Sequence, residues 1–283
     1  EVAVVQPNVN PNTKWDRKKQ IIELMNSLHL EAVRMNPDIV VFPETALPVY
    51  LTRDHRIRNT LQGIVDYYNI PLLTGTIDLK YINGNKNYYN SAMLLSPNKK
   101  YQLYNKIHLV PFAEYDLFPN IFHPLTFLNL NINLGHFQPG TDFKIFELED
   151  ILFSDLICYE SSIPSIAREF INKGSELLII QTNDGWLGNS YGPYQHFELA
   201  RLRAIENRVP VVRAANTGIS GIIYPDGSVQ KKVGIGKQEV FMEKIKFGEN
   251  KSLYSKYGDI IAIVCFFITT LFVGIICKKQ YYS

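Results

Sequence analysis

The sequence predicts a layered α/β fold with mixed sheets, on three observations. Apolar strand-like runs alternate with amphipathic helical stretches through the first part of the chain. β-Hairpins bracketed by turn residues intrude in the middle and again after residue 209. With 283 residues, 46% hydrophobic and 20% charged, the chain can bury one large core.

In order, Val2–Gln6 reads as a buried strand. Thr13 is placed to cap a helix running to about Met35, whose Ile21, Met25, Leu28, Ala32 and Met35 recur at four- and three-residue steps. A second apolar strand over 38–43 leaves Glu44 at its C-terminal end. A helix over about 54–68 leads to a strand at 72–77. Residues 88–95 and 100–104 form a hairpin around Ser96-Pro97-Asn98-Lys99, with Lys106 directly after it. The stretch 112–140 is irregular and rich in Pro, Asn and apolar side chains, which predicts a lid or binding surface over 115–135. The apolar run Ile151–Ile157 is a strand that delivers Cys158 to a turn, and a helix follows from about Ser162. A strand at 177–181 and a helix at about 194–207 come next, with Arg201 and Arg203 expected on a solvated or salt-bridged face. Strands at 209–214, 219–224 and 229–233 complete the domain, the last two turning at Asp226-Gly227.

Residues 260–277 carry no charge, and as a helix they would span roughly 27 Å, about the hydrocarbon thickness of a bilayer. Lys278 and Lys279 end the run, and Tyr281 and Tyr282 suit an interface. The predicted organisation is a domain over 1–250, a juxtamembrane linker at 251–259, the membrane helix at 260–277 and a polar tail at 278–283. Net charge is +2, and no basic run with interleaved aromatics suggests nucleic acid. Of the three cysteines, Cys265 and Cys277 lie in the apolar tail, so neither a disulfide framework nor a metal site is expected. No cofactor is expected either.

Three side chains stand out because each follows an apolar strand: Glu44, Lys106 and Cys158. A cysteine in a turn before a helix can be activated as a thiolate, given an adjacent base and a nearby cation. Pro43 and Pro48 fix the backbone around Glu44. Glu114 lies eight residues beyond Lys106 as a second carboxylate. His108 and His196 are the candidates for a Cys–His dyad. His108 is expected to face away, and His196, in a helical stretch, to make a structural hydrogen bond. Phe118 and Trp186 lie in loops able to flank a pocket.

The segments PETALP at 43–48, YNKIHLVPFAEY at 104–115, ICYES at 157–161, TNDGWLG at 182–188 and GPYQHFELARLRAIENRVPVVRAANTGISGIIYPDG at 192–227 resemble the nitrilase superfamily. More narrowly, the chain is similar to the apolipoprotein N-acyltransferase branch, over essentially its whole length. The resemblance implies a four-layer α/β/β/α sandwich followed by the single membrane helix. It implies Glu44 as general base, Cys158 as a nucleophile that becomes a thioester, and Lys106 as the charge steadying the oxyanion. Glu114 would orient the site, and Tyr159 and Glu160 match the positions after the nucleophile.

It further implies a monomeric enzyme of the bacterial inner membrane, its domain facing the periplasm. That enzyme would move an acyl chain from a glycerophospholipid to the α-amino group of a lipoprotein's lipid-modified N-terminal cysteine. Two readings compete: an amidase of the same superfamily acting on a small amide, and a non-catalytic membrane-tethered scaffold. Ala113 stands where many relatives have Gly, and Leu187 where they often have Phe. The branch also carries an N-terminal bundle of membrane helices, so this chain is expected to be a fragment beginning at the catalytic domain.

Overall fold

The computed structural model describes residues 1–111, 113–115, 137–188, 190–248 and 252–281. Successive side chains of a strand face opposite ways, and β1 (Val2–Gln6) uses both faces. Val2 and Val4 join a core shared with the second half of the chain, while Ala3 and Val5 join one shared with two helices. Those helices are α1 (Lys18–Val33) and α2 (His55–Tyr68). Each fully buried Val, Leu, Ile, Phe or Met contributes about 1.5–3 kcal/mol, so a strand buried on both faces is anchored from both. Such strands belong in the middle of a layered structure.

The first sheet runs β12 (Glu239–Glu243), β1, β2 (Ile39–Val41), β3 (Leu72–Ile82), β4 (Asn85–Leu95), β5 (Gln102–Asn105). The second runs β11 (Val229–Val233), β10 (Ser220–Ile223), β9 (Val211–Ala215), β8 (Leu177–Thr182), β7 (Ile151–Ile157), β6 (Phe146–Leu148). Each holds three parallel strands, β1-β2-β3 and β7-β8-β9, extended by antiparallel neighbours. α3 (Pro164–Asn172) and α4 (Gly192–Asn207) supply Phe170 and Phe197 to the core of the second sheet. The result is the predicted α/β/β/α layering.

Polar ties register one sheet on the other. Gln181 Nε2 on β8 donates to the Phe42 carbonyl at 2.6 Å, two residues before Glu44. Ser220 Oγ donates to Gln6 Oε1 at 2.5 Å.

Several elements differ from expectation. Thr13 caps nothing: residues 11–17 form turns, and α1 starts at Lys18 behind an Arg17 without a side-chain cap. The reason is Lys14, whose ammonium turns inward to donate to the Thr45 carbonyl. β3 and β4, eleven residues each, form a hairpin that turns at Asn83-Gly84, with φ of 52° and 80°, much longer than the two strands predicted. An Asn-Gly pair is a strong hairpin signal. The edge strands β6 and β12, three and five residues long, are too short for a periodic signal to announce them. Arg201 and Arg203 are salt-bridged within α4 itself rather than solvated or paired between domains, Arg201 to Glu198 at 2.6 Å and the buried Arg203 to Glu206 at 2.9 Å.

Two more helices follow the second sheet, α5 (Leu253–Tyr257) and α6 (Ile260–Tyr281). Arg168 on α3 donates to the carbonyls of Tyr254, Ser255 and Lys256, so it closes the C-terminal end of α5. Over Ile260–Lys278 the mean hydropathy is 2.9 and none of the helix is buried against the protein, so it is long and apolar enough to span a membrane. Its Thr270 hydroxyl donates to the Phe266 carbonyl at 2.8 Å, which satisfies that polar group within the helix.

Candidate active site

Open α/β sheets bind ligands beyond the C-terminal ends of their strands. Glu44 follows β2, Lys106 follows β5, and Cys158 follows β7. The structure brings the three into one cluster: the Glu44 carboxylate raises and the Lys106 ammonium lowers the proton affinity of the Cys158 thiol, and the Lys106 charge also acts on Glu44.

The turn carrying Glu44 is tight. Thr45 has φ of 44°, and β3 passes so near that a Cβ on Gly75 would lie 2.4 Å from the Thr45 nitrogen and 2.6 Å from the Glu44 Cα. Glycine is therefore required at 75. The Asn90 amide donates to Glu44 Oε1 at 2.7 Å and to Glu114 Oε1 at 2.9 Å. Glu114 Oε2 pairs with Lys106 Nζ at 2.7 Å and accepts the Val110 N–H at 2.8 Å. One side-chain amide thus spaces two carboxylates that would otherwise repel.

These neighbours set the proton affinities. Burial pushes the Glu44 carboxyl above its ordinary range, against the pull of Lys106. Burial alone would lower Lys106, but Glu114 and Glu44 outweigh it and hold the ammonium protonated. The Cys158 thiol is pushed up to about 12, first by burial and then by Glu44, so the resting group is a thiol. Such a thiol needs a base at the moment of attack, and a carboxylate with a raised proton affinity suits that task. Lys106 has no hydrogen-bond partner beyond its ion pair among the described residues, so the ammonium retains protons for a developing oxyanion.

Cys158 opens a 3-10 turn, Cys158–Ser162, with φ of 52°. For a residue with a side chain that conformation costs about 1–3 kcal/mol, and it persists only where the surroundings over-determine it. Glu160 is one such constraint. Its buried carboxylate accepts the Tyr104 hydroxyl at 2.7 Å and the N–H groups of Ile107, His108 and Ile157 at 2.8, 3.1 and 2.9 Å. It therefore staples the cysteine turn to the segment that follows Lys106.

The other predicted residues divide. Tyr159 is 36% exposed on the rim, Trp186 68% exposed, and His108 exposed. Phe118 and the expected 115–135 lid lie outside the described residues, Tyr115 excepted. His196 Nε2 lies 2.8 Å from Ser161 Oγ and 3.1 Å from the Cys158 carbonyl, the structural hydrogen bonding expected, and makes no hydrogen bond to the sulfur among the described residues.

Sequence reasoning missed Asn90, which no local motif marks, and Lys14. Lys14 is 4% exposed, and burial, opposed by Glu44, lowers its ammonium to about 8. Asp184 and Arg213 lie within the segments 182–188 and 192–227, where no local signal marks their pairing.

The sequence profile of the carbon-nitrogen hydrolase family matches residues 1–253. Apolipoprotein N-acyltransferase from Geobacter metallireducens is 34% identical over 270 residues, covering 94% of this chain and 51% of that protein. The enzyme of the same name from Rickettsia prowazekii is 33% identical over 266 residues, covering 92% and 52%. The chain thus spans about half the length of the curated relatives it matches. Among solved structures, a carbon-nitrogen hydrolase from Helicobacter pylori superposes with a TM-score of 0.67 at 17% identity, over 84% of this chain and 86% of that one. An amidase from Nesterenkonia superposes at 0.62 with 16% identity, over 84% and 90%. At those identities the two structures speak for the fold alone.

Proposed function

The chain belongs to the carbon-nitrogen hydrolase family, and from that premise we propose that it is the catalytic part of a membrane-bound apolipoprotein N-acyltransferase. Glu44 takes the thiol proton as the Cys158 sulfur adds to an ester carbonyl of a glycerophospholipid. The oxyanion forms beside Lys106. Its collapse breaks the C–O bond, and Glu44 returns the proton to the departing lysophospholipid. The α-amino group of a lipid-modified N-terminal cysteine then adds to the thioester. Glu44 takes the amine proton, an amide forms, the C–S bond breaks and the sulfur recovers its proton.

One observation carries this reading: a cluster of buried Glu44, buried Lys106 and half-buried Cys158 shares its chain with a helix long and apolar enough to span a bilayer. Both proposed substrates are bilayer-embedded, so anchoring turns a search in solution into positioning at a surface. Glu114 and Glu160 support the site in this account, while Tyr159 and Trp186 flank it. The reading puts the domain on the periplasmic side of a bacterial inner membrane.

The test is to mix the full-length enzyme with phospholipid vesicles and no acceptor. An acyl adduct on Cys158, seen by intact mass and removed by hydroxylamine, is the expected result. Ammonia release from small amides at comparable rates would favour an amidase instead. An unreactive Cys158 would favour a scaffold.

A further inference from the structure

Behind the cysteine turn runs a buried polar chain that the proposed reaction does not use. Arg213 Nε donates to the Ile219 carbonyl at 3.0 Å, and its Nη2 donates to Asp184 Oδ2 at 2.9 Å. Asp184 Oδ1 lies 2.8 Å from His196 Nδ1 and accepts the Thr182 hydroxyl at 2.9 Å. His196 Nε2 lies 2.8 Å from Ser161 Oγ, which donates to the Cys158 carbonyl at 2.7 Å. The same nitrogen lies 3.1 Å from that carbonyl. All five of these side chains are buried, Arg213, Thr182 and Ser161 completely. Burial would raise the Asp184 carboxyl, but Arg213 and His196 outweigh it and hold it well below the ordinary range. The backbone leaves room for the carboxylate: a Cβ on Gly218 would lie 2.2 Å from Asp184 Oδ2.

We propose that the Arg213–Asp184–His196 chain, closing with Ser161 on the Cys158 carbonyl, is the positioning device of the nucleophile. The inference rests on the reading of Cys158 as the attacking group. A buried ion pair adds little net stability once desolvation is counted. This one ends on the carbonyl of a non-glycine residue at φ 52°, where a restraint is needed. No cis peptide bond occurs among the described residues, so a carbonyl turned towards His196 turns the Tyr159 N–H the opposite way. The network therefore sets the peptide plane beside the sulfur, and its effect falls on steps that build an oxyanion there. Displacement at a saturated carbon by the same thiol builds none.

The test uses full-length protein in detergent and two probes of Cys158. Iodoacetamide alkylates the sulfur. With p-nitrophenyl acetate the sulfur adds to the carbonyl, the C–O bond breaks, p-nitrophenolate leaves and Glu44 receives the thiol proton. For His196→Ala, acetylation is expected to fall about 100-fold while alkylation stays near the wild-type rate. Asp184→Asn should fall in the same direction by less, and His196→Gln, whose amide can donate to the carbonyl, should recover most of the loss. Parallel loss with both probes would reduce the network to general structural support, and no loss would remove its role. If His196→Ala fails to fold by circular dichroism, Ser161→Ala is read in its place, with the same split expected at smaller size.

Wild-type protein acetylated by the ester but not acylated by phosphatidylethanolamine vesicles would refute the proposed donor and leave the positioning test intact. Wild-type protein that is alkylated and not acetylated would overturn the positioning claim itself.

Discussion

Glu44 and Lys106 leave the first sheet with their charges set against one another, while Cys158 leaves the second held by its backbone. On the first side Asn90 bridges Glu44 and Glu114, and Glu114 pairs with Lys106 at 2.7 Å. On the second, Glu160 gathers three N–H groups and a hydroxyl, and Ser161 holds the Cys158 carbonyl. The two sides solve different problems. A base and a cation need tuned proton affinities, which nearby charges and burial supply. A nucleophile in a strained turn needs a fixed position, which hydrogen bonds to its peptide groups supply.

Four substitutions would break or sharpen that contrast. The largest effect is expected for Glu44→Gln, which leaves a thiol still raised by burial, though no longer by the Glu44 charge, without a base. Cys158 acylation, followed by intact mass, should fall about 10²–10⁴-fold at neutral pH with the melting temperature little changed. If acylation survived, the charge side would not be the activating side.

Glu160→Gln comes next and should act through structure first. It keeps one acceptor oxygen but sets an amide group against the Ile157 N–H, which Oε2 now accepts at 2.9 Å. A loss of about 2 kcal/mol in urea unfolding is expected, together with slower acylation. A stability equal to wild type would mean that the staple holds nothing.

Lys14 lies between the two kinds of restraint, since it donates to the Thr45 carbonyl and feels the Glu44 charge. Its ammonium is lowered from 10.5 to about 8 in the folded protein. Between those values the unfolded chain binds the extra proton, so this group's contribution to stability rises as pH increases from 8 to 10.5. Comparing urea midpoints of wild type and Lys14→Met at pH 7 and pH 10 should show the wild type gaining on the variant. Over the same interval wild-type acylation should lose a supporting charge that Lys14→Met never had. A constant difference between the two proteins would place the lysine in solvent.

Arg168→Ala should have the smallest effect on stability, about 1 kcal/mol, because its carbonyl contacts are partly exposed. Its effect on phospholipid vesicles should exceed that on a soluble ester, since it ties α5, next to the apolar helix, onto α3. Equal effects on both substrates would show that the tie does not orient the site.

Much of the architecture was legible because burial leaves a local periodic trace. The runs at Val2–Gln6 and Ile151–Ile157, the helix face through Ile21, Met25 and Leu28, and the uncharged stretch from Ile260 could each be read without a partner. The short edge strands β6 and β12 left no such trace, and the start of α1 was misplaced because Lys14 turns inward to a carbonyl 31 residues away.

By itself, then, the sequence determined which of the longer apolar runs form buried strands, and that a glutamate, a lysine and a cysteine each follow one of them. Only the tertiary structure decided what each of them touches. Asn90 meets Glu44 across 46 positions, Glu160 meets Tyr104 across 56, and His196 meets the Cys158 carbonyl across 38. Hydrophobic periodicity reports which face of an element is dry, a property of neighbouring residues. Hydrogen-bond partners and shifted proton affinities depend on distances of a few ångströms between elements, which exist only once the two sheets have packed.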